Sequence, residues 1–326
     1  MPQKRIVVTG IGGNVGQGII RNIRAAPYDT YVIGTNVEAF SGGNHLCDAF
    51  YKVPYAYHEE YLHAILAIVA EEAVDLIIPA TDYEVYYLAA FKDQIPCAVA
   101  VSDLDTARIY LDKYETYRFF KTHEIPFAEA YLPSAYDHSF TESIAKPRKG
   151  RGSRGLVLNP ADVSIYSDEE YMVQELIRGE EITTAFYVNK QQALHGHITF
   201  VRTLENGATN LCTVTERYNT SVEKIITKMI SVSSIQGAAN VQSMVTKNGD
   251  IIPFEINCRI SGTNSIRSQF GFKDVEYTLA EYLFEEAPEP PVIEPGSAAR
   301  ILMDVIYKGA HDYSGLSDKK YPHYLF

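Results

Sequence analysis

Gln242, Glu255 and Asn257 lie on two apolar-rich stretches joined by Lys247-Asn248-Gly249-Asp250. Asn-Gly is a strong signal for a two-residue hairpin turn. With Lys247 paired to Asp250, counting back sets Gln242 opposite Glu255, and strand alternation puts Asn257 on the same face as Glu255. Two amide oxygens and a carboxylate on one patch are hard ligands, a set that suits Mg²⁺ when phosphate oxygens complete its sphere. Buried acids and amides need partners of this kind. A solvated hairpin would show the same alternation. It would not explain why the strand runs on into the polar loop Arg259-Ile260-Ser261-Gly262-Thr263-Asn264.

A second group begins at Ile144-Ala145-Lys146-Pro147, a strand ending in lysine, and continues as Arg148-Lys149-Gly150-Arg151-Gly152-Ser153-Arg154-Gly155. Glycines let the N–H groups of such a loop turn toward an anion. It is not a Walker A loop, which opens a helix with Gly-Lys-Ser/Thr; a solvated basic loop is the other reading. Further on, Val173-Gln174-Glu175-Leu176-Ile177-Arg178-Gly179-Glu180-Glu181 joins two strands through a polar turn. Such a linker offers backbone groups to an adenine edge and a carboxylate to ribose hydroxyls.

A third group reads differently. Gly10, Gly13 and Gly16 follow the first strand with the spacing of dinucleotide-binding turns, and Tyr117 and Lys121 form a Tyr-x-x-x-Lys pair. Together they would suit an NAD(P)-dependent short-chain reductase or epimerase. Against this, the second strand ends at Thr35-Asn36, where a ribose-binding acid belongs, and Glu38 comes two residues late. The competing reading makes the glycines a tight strand-to-helix turn.

The elements that must hold these residues fall into two patterns. Strands at 5–9, 30–35, 75–79 and 97–101 alternate with helices at 15–24 and 60–71, the signature of a parallel sheet covered by helices. Residues 103–121 read as one or two helices. After Pro126 short strands dominate (142–146, 171–175, 181–188, 193–200, 211–215), with a helix at 222–231, the hairpin, and a last long helix at 273–285. Asp82 and Glu84 follow a strand C-terminus, where they would meet a substrate amine or cap a helix.

In that order, Lys146 with its glycine loop, Gln174–Glu181 and Glu255-Ile256-Asn257-Cys258-Arg259 resemble the ATP-grasp superfamily, over nearly the whole chain. The set Gln242, Glu255, Asn257 and Arg259 is similar to a synthetase unit of the carbamoyl phosphate synthetase large subunit. The resemblance implies an α/β pre-ATP-grasp domain at 1–108, a central lobe with the glycine-rich loop at 109–180 and a C-terminal lobe with the metal site at 181–326. It also implies residue roles. Lys113 and Lys146 would contact ATP phosphates, and Ser153, Arg154 and Gly155 would close over the γ-phosphate. Gln174, Glu175 and Ile177 would line adenine, and Glu181 would hold ribose. Gln242, Glu255 and Asn257 would bind two Mg²⁺, or Mn²⁺ in their place, and Arg259 would steady the transferring phosphoryl group. The activity implied is ADP-forming ligation of a carboxylate to an amine or thiol through an acyl phosphate. Asp82, Glu84, Ser261 and Asn264 are candidate substrate contacts. Cys258 stands where the family usually has proline. The chain is one synthetase-sized unit with no glutaminase-like segment, which argues against making carbamoyl phosphate alone. A non-catalytic ATP-binding module is the remaining alternative.

Composition limits the partners. The 326 residues are 46% hydrophobic with a formal net charge of -12, which argues against a nucleic-acid partner. No apolar run approaches a membrane span, and the opening Met1–Gly10 reads as a strand, not a signal peptide, so a cytoplasmic protein, with a homodimer as one possible assembly, is expected. Cys47, Cys97, Cys212 and Cys258 show no pairing or metal spacing and are expected to be reduced. The bias to 24 tyrosines and no tryptophan has no physical account here.

Overall fold

Continuous apolar runs such as Ile6-Val7-Val8 and Leu76-Ile77-Ile78 have no polar face to offer water, so they form strands buried on both sides. The computed structural model describes residues 3–150, 154–301, 303–312, 315–316 and 321–326. The chain divides into two compact units: Met1–Ser102 with Arg259–Val292 and Arg300–Phe326, and Asp103–Cys258 with Ile293–Ala299.

In the first unit, β1 (Lys4–Val8), α1 (Asn14–Ala25), β2 (Thr30–Asn36), β3 (Ala49–Lys52), α2 (Tyr61–Glu72), β4 (Leu76–Ile78), α3 (Asp82–Ala90) and β5 (Ala98–Val99) build the expected parallel sheet, ordered β3-β2-β1-β4-β5. The strand order reverses between β1 and β4, so the β1–α1 and β4–α3 turns meet at the switch point. Gly16 is needed there for closeness: a Cβ would lie 2.8 Å from the Gly10 carbonyl oxygen. The chain returns to this unit at Arg259. The helix expected at 273–285 is instead one α segment, Asp274–Leu279, followed by a π-helical stretch, Ala280–Phe284.

The second unit opens with α4 (Leu104–Leu111) and α5 (Lys113–Thr122). They are two helices because Asp112 is extended (φ -106°, ψ 113°), and its carboxylate accepts the N–H groups of Tyr114 and Glu115 at 3.0 and 3.3 Å. An antiparallel sheet of β6 (Ala130–Tyr131), β7 (Ser143–Pro147), β8 (Val157–Leu158) and β9 (Tyr171–Glu175) runs in the order β6-β9-β7-β8. A second antiparallel sheet holds β10 (Glu180–Val188), β11 (Leu194–Glu205), β12 (Ala208–Val214), β13 (Gly237–Val245), β14 (Ile251–Asn257) and β15 (Ser297–Ala299), with α6 (Asn219–Val232) between β12 and β13. Its order is β14-β13-β10-β11-β12-β15.

The two faces of this larger sheet differ along β13 and β14. Ile182, Phe186, Val188, Val241 and Ile256 point one way and pack with Val222, Ile226 and Met229 of α6 and with Tyr110 and Phe120. Each such side chain contributes about 1.5–3 kcal/mol on burial. Alternation sends Glu181, Thr183, Gln242, Glu255 and Asn257 the other way.

The hairpin reaches the expected pairing by an unexpected route. Lys247 does not pair with Asp250. The closing hydrogen bond runs from Thr246 N–H to the Asp250 carbonyl, so the turn holds three residues, with Gly249 at φ +89°. That slips the register by one: Val245 faces Ile251 and Ser243 faces Pro253. A bulge at Phe254 restores it, and Gln242 does face Glu255, with Asn240 facing Asn257.

Candidate active site

On the polar face of the larger sheet the side chains form a directed row. Arg202 on β11 donates to Glu181 Oε1 through Nε (2.9 Å) and Nη2 (2.7 Å), to Thr209 through Nη1 (3.2 Å), and to Gln242 Oε1. Gln242 Nε2 donates to Asn257 Oδ1 at 3.2 Å, and Asn257 Nδ2 donates to Glu255 Oε1 at 3.3 Å. Each amide thus has its oxygen toward Arg202 and its nitrogen toward Glu255. An amide oxygen carries two lone pairs, so Gln242 and Asn257 each keep one after this bond. Glu255 and Gln242 are half-buried. The donor set is oxygen only, with one carboxylate, and it fits a hard divalent cation that takes its remaining ligands from phosphate.

Lys146, at the end of β7, is fully buried beside this row. Its Nζ donates to Gln174 Oε1 at 2.6 Å and to the Phe254 carbonyl at 3.0 Å. The Phe254 carbonyl lies at the bulge, where the ladder is interrupted. Gln174 is fixed in turn by Nε2 donating to the Ala128 carbonyl at 3.3 Å. Burial pulls the Lys146 pKa down to about 7, against Glu255, which raises it, and with Lys113, which adds repulsion. A lysine held at this point gains a strong reason to be charged once an anion arrives.

Lys113 opens α5 half-buried and donates Nζ to the Gly150 carbonyl at 3.2 Å. The start of the glycine loop is anchored behind it. Arg148 lays its guanidinium on the Asp112 carboxylate (Nη2–Oδ2 2.8 Å, Nε–Oδ1 3.1 Å) and donates Nη1 to the Asp168 carbonyl. Arg148 is therefore committed to the scaffold, a use that its place in a basic run did not reveal. Arg154 and Gly155 are exposed. Ser153 lies outside the described residues.

In the linker, Gln174 is buried, and Glu175 and Ile177 are half-buried. The N–H groups of Glu175 and Leu176 go to the Glu129 and Glu142 carbonyls. Glu175 through Glu180 also line a groove of about 740 Å³ with Tyr218 and the turn Thr246–Asn248. Glu180 and Val245, a cross-strand pair in its wall, alternate with Glu181 and Met244 and belong to the apolar side of the sheet. This groove is thus not the polar row.

The remaining candidates belong to the first unit. Arg259 donates Nη2 to Asp82 Oδ2 at 2.8 Å and Nη1 to the Ile260 carbonyl at 3.1 Å, while its buried Nε has no hydrogen-bond partner among the described residues. Asp82 sits in the first turn of α3, and Thr81 is the cap, accepting Glu84 N–H at 3.3 Å. Glu84 is buried, and its Oε2 accepts the hydroxyls of Thr9 (2.6 Å) and Thr81 (2.7 Å), tying β1 to the start of α3. Ser261 accepts Arg267 Nη1 at 2.8 Å. Asn264, wholly buried, donates Nδ2 to the carbonyls of Ser261 (2.9 Å) and Val15 (3.2 Å) and accepts from Asn22 (3.1 Å). These bonds engage Glu84, Ser261 and Asn264 in holding the scaffold; Asp82 holds Arg259.

The reductase reading finds no support. Tyr117 donates its hydroxyl to Glu129 at 2.6 Å, and burial and that carboxylate raise its pKa, whereas a tyrosine acting with lysine needs it lowered. The amide of Asn36 leans on Gly12, where an added Cβ would meet it at 2.8 Å.

Comparison with known proteins bears on the domains and the fold. An ATP-grasp domain profile matches residues 110–263, and a PylC-like N-terminal domain profile matches residues 6–100. The chain carries an ATP-grasp domain preceded by a PylC-like N-terminal domain. Among solved structures it is similar to N5-carboxyaminoimidazole synthetase from Staphylococcus aureus complexed with ADP (13% identity, 92% of this chain and 82% of that one, TM-score 0.74). It is similar also to L-amino acid ligase from Bacillus licheniformis (13%, 86% and 74%, TM-score 0.69). A third is the biotin carboxylase domain of Hydrogenobacter thermophilus 2-oxoglutarate carboxylase, with MgADP and bicarbonate (13%, 90% and 73%, TM-score 0.70). At such identity the likeness is one of fold. No curated protein sequence matches the chain. Among the described residues no helix is long and apolar enough to cross a membrane.

Proposed function

We propose that the protein is an ADP-forming ligase that activates a small-molecule carboxylate as an acyl phosphate and passes it to an amine. The observation that carries this reading is the joint placement, in one unit, of the oxygen row Gln242–Asn257–Glu255, the carboxylate Glu181 and the buried Lys146. Lys113 and Lys146 face the phosphates, joined by Arg154, Gly155 and Ser153 of the loop. Glu175 and Ile177 take the adenine edge beside Gln174, and Glu181 takes the ribose. Glu255 and Asn257, with Gln242, hold Mg²⁺, which when bound offsets phosphate charge and aligns the γ-phosphoryl group for in-line transfer.

The chain's own groups supply the rest. Lys146 gains its proton as the triphosphate arrives and stabilises the negative charge that develops on transfer. The resemblance to ATP-grasp enzymes assigns Arg259, whose guanidinium Asp82 fixes, to the acyl phosphate. The loop at 148–155 excludes water from that intermediate. Lobes at 109–180 and 181–326 are part of this assignment; the two antiparallel sheets fall at 130–175 and 180–299, while 259–292 and 300–326 group with the first unit.

The test is ADP release from Mg·ATP over pooled carboxylates and amines, comparing wild type with Glu255→Ala. Release that needs both an acid and Glu255 supports ligation. Absence of ATP binding overturns the reading.

A further inference from the structure

We infer that Arg202 is a positioning residue that sets both ends of the nucleotide site, holding Glu181 for the sugar and, through Gln242 and Asn257, orienting Glu255. This rests on the ligase reading above. The guanidinium is a flat fork with five fixed donors. Here two of its nitrogens hold one oxygen of Glu181, one of those also reaches Gln242 Oε1, and the third reaches Thr209. With that oxygen fixed, the other carboxylate oxygen of Glu181 has a defined direction.

The second arm acts at longer range. Gln242 and Asn257 are amides, and either could be turned end for end at little local cost. A guanidinium can only donate, so it accepts just one orientation of Gln242, with oxygen inward. Gln242 Nε2 must then donate, which turns the Asn257 oxygen toward it and the Asn257 nitrogen toward Glu255. One buried cation thereby fixes three side chains on β13 and β14. The side chain of Arg202 is 9% exposed and that of Glu181 is 23% exposed, so the clamp is sheltered while the acid it holds reaches the surface. Nothing in the sequence marks this arginine: Phe200-Val201-Arg202-Thr203 is an ordinary strand, and its partners lie on β10, β12 and β13.

A buried ion pair with no further task would also join β10, β11 and β13, so the test must read more than stability. Binding of ATP, 2′-deoxy-ATP and 3′-deoxy-ATP, each with Mg²⁺, is measured by calorimetry for wild type, Arg202→Met and Arg202→Lys. The wild type is expected to prefer ATP over at least one deoxy analogue by about tenfold, the size of one hydrogen bond to a charged group. In Arg202→Met the preference falls toward one, and the Mg²⁺ concentration needed for half-maximal ATP binding rises several-fold. Should Arg202→Met not fold, Arg202→Lys gives the same reading, because a point charge cannot hold both acceptors as the fork does. Retained preference in the folded variant overturns the inference, as does a wild type that binds ATP without preference. A wild type that does not bind Mg·ATP overturns the ligase reading itself, and is told apart by that first titration.

Discussion

Two arginine networks, one in each unit, use the same chemistry to different ends. Arg267 and Asp274 are both wholly buried; Arg267 donates Nη1 to Ser261 Oγ and Thr263 Oγ1, each at 2.8 Å, and Nε to Asp274 Oδ2 at 3.1 Å. Nη1 also reaches the Ser261 carbonyl at 3.5 Å, every partner lies within residues 261–274, and the one acceptor left over among the described residues, Asp274 Oδ1, is itself buried. Arg202 also clamps an acid, but its row runs outward to a half-buried glutamate and leaves lone pairs unspent. A network whose spare acceptor is buried serves the fold; one whose spare acceptors face outward suits the ligand proposed for it. Charge is alike in the two; what distinguishes them is burial, 0% exposed for Arg267 and Asp274 against 9% and 23% for Arg202 and Glu181, and where the last acceptor points.

Glu255→Gln should break the comparison most sharply. It removes the charge at the open end, and turnover of the proposed ligase should fall about a thousandfold, as for loss of a group that stabilises transition-state charge. Thermal unfolding should barely move. Steady-state ADP release and a melting curve on the same sample decide it.

Arg267→Met should do the reverse. It leaves Asp274 buried without its cation, a loss of about 3–5 kcal/mol, read as a lower urea midpoint with an unchanged Km for ATP in the protein that remains folded. An equal loss from Arg202→Met, with intact nucleotide preference, would erase the distinction between the networks.

Lys146 sharpens the contrast through pH. Its folded pKa of about 7 lies below the unfolded value. Between pH 7 and about 10.4 the unfolded chain binds more protons, so this group makes stability rise with pH by up to about 1.4 kcal/mol per unit. Below pH 7 both states are protonated and its slope vanishes. Lys146→Met should remove that increment, seen as a shallower rise of the urea midpoint from pH 7.5 to 9.5. The same shift predicts proton uptake when Mg·ATP binds at pH 8, measurable by calorimetry in buffers of different ionisation enthalpy.

Gly249→Ala gives the smallest effect. At φ +89° a side chain costs about 1–2 kcal/mol, yet the row should keep its geometry and ADP release should be unchanged.

How much of this the sequence disclosed depended on how local the information was. The parallel sheet was legible because its strands carry continuous apolar runs between helical ones. Pairing of Gln242 with Glu255 was legible from Asn248-Gly249 and alternation, although the turn and the bulge each departed from the simple count by one residue and cancelled. Lys146 and Gln174 stood out by order along the chain. Ser261 and Asn264 were expected as substrate contacts because polar residues in a loop after a site strand read the same whether they face a substrate or the scaffold; here Ser261 accepts from Arg267, and Asn264 donates to the Ser261 and Val15 carbonyls. Arg202, and the Arg148–Asp112 pair, stayed invisible because their acid and amide partners are 21 to 40 residues away in sequence, and the tertiary folding that brings them together is not written in any window. The break at Asp112 was left open for a related reason: a helix periodicity persists across a cap.

The bulge at Phe254 has an engineering consequence. It stands between the tip of the β13–β14 hairpin and its base, and absorbs a one-residue change in phase. Residues 246–250 can therefore be exchanged for a tip of different length or chemistry, such as a short epitope or a fluorophore-bearing loop, while Glu255 and Asn257 keep their bearing. The hairpin offers a reporter port a few residues from the proposed metal row, in the wall of the groove it shares with the linker Glu175–Glu180.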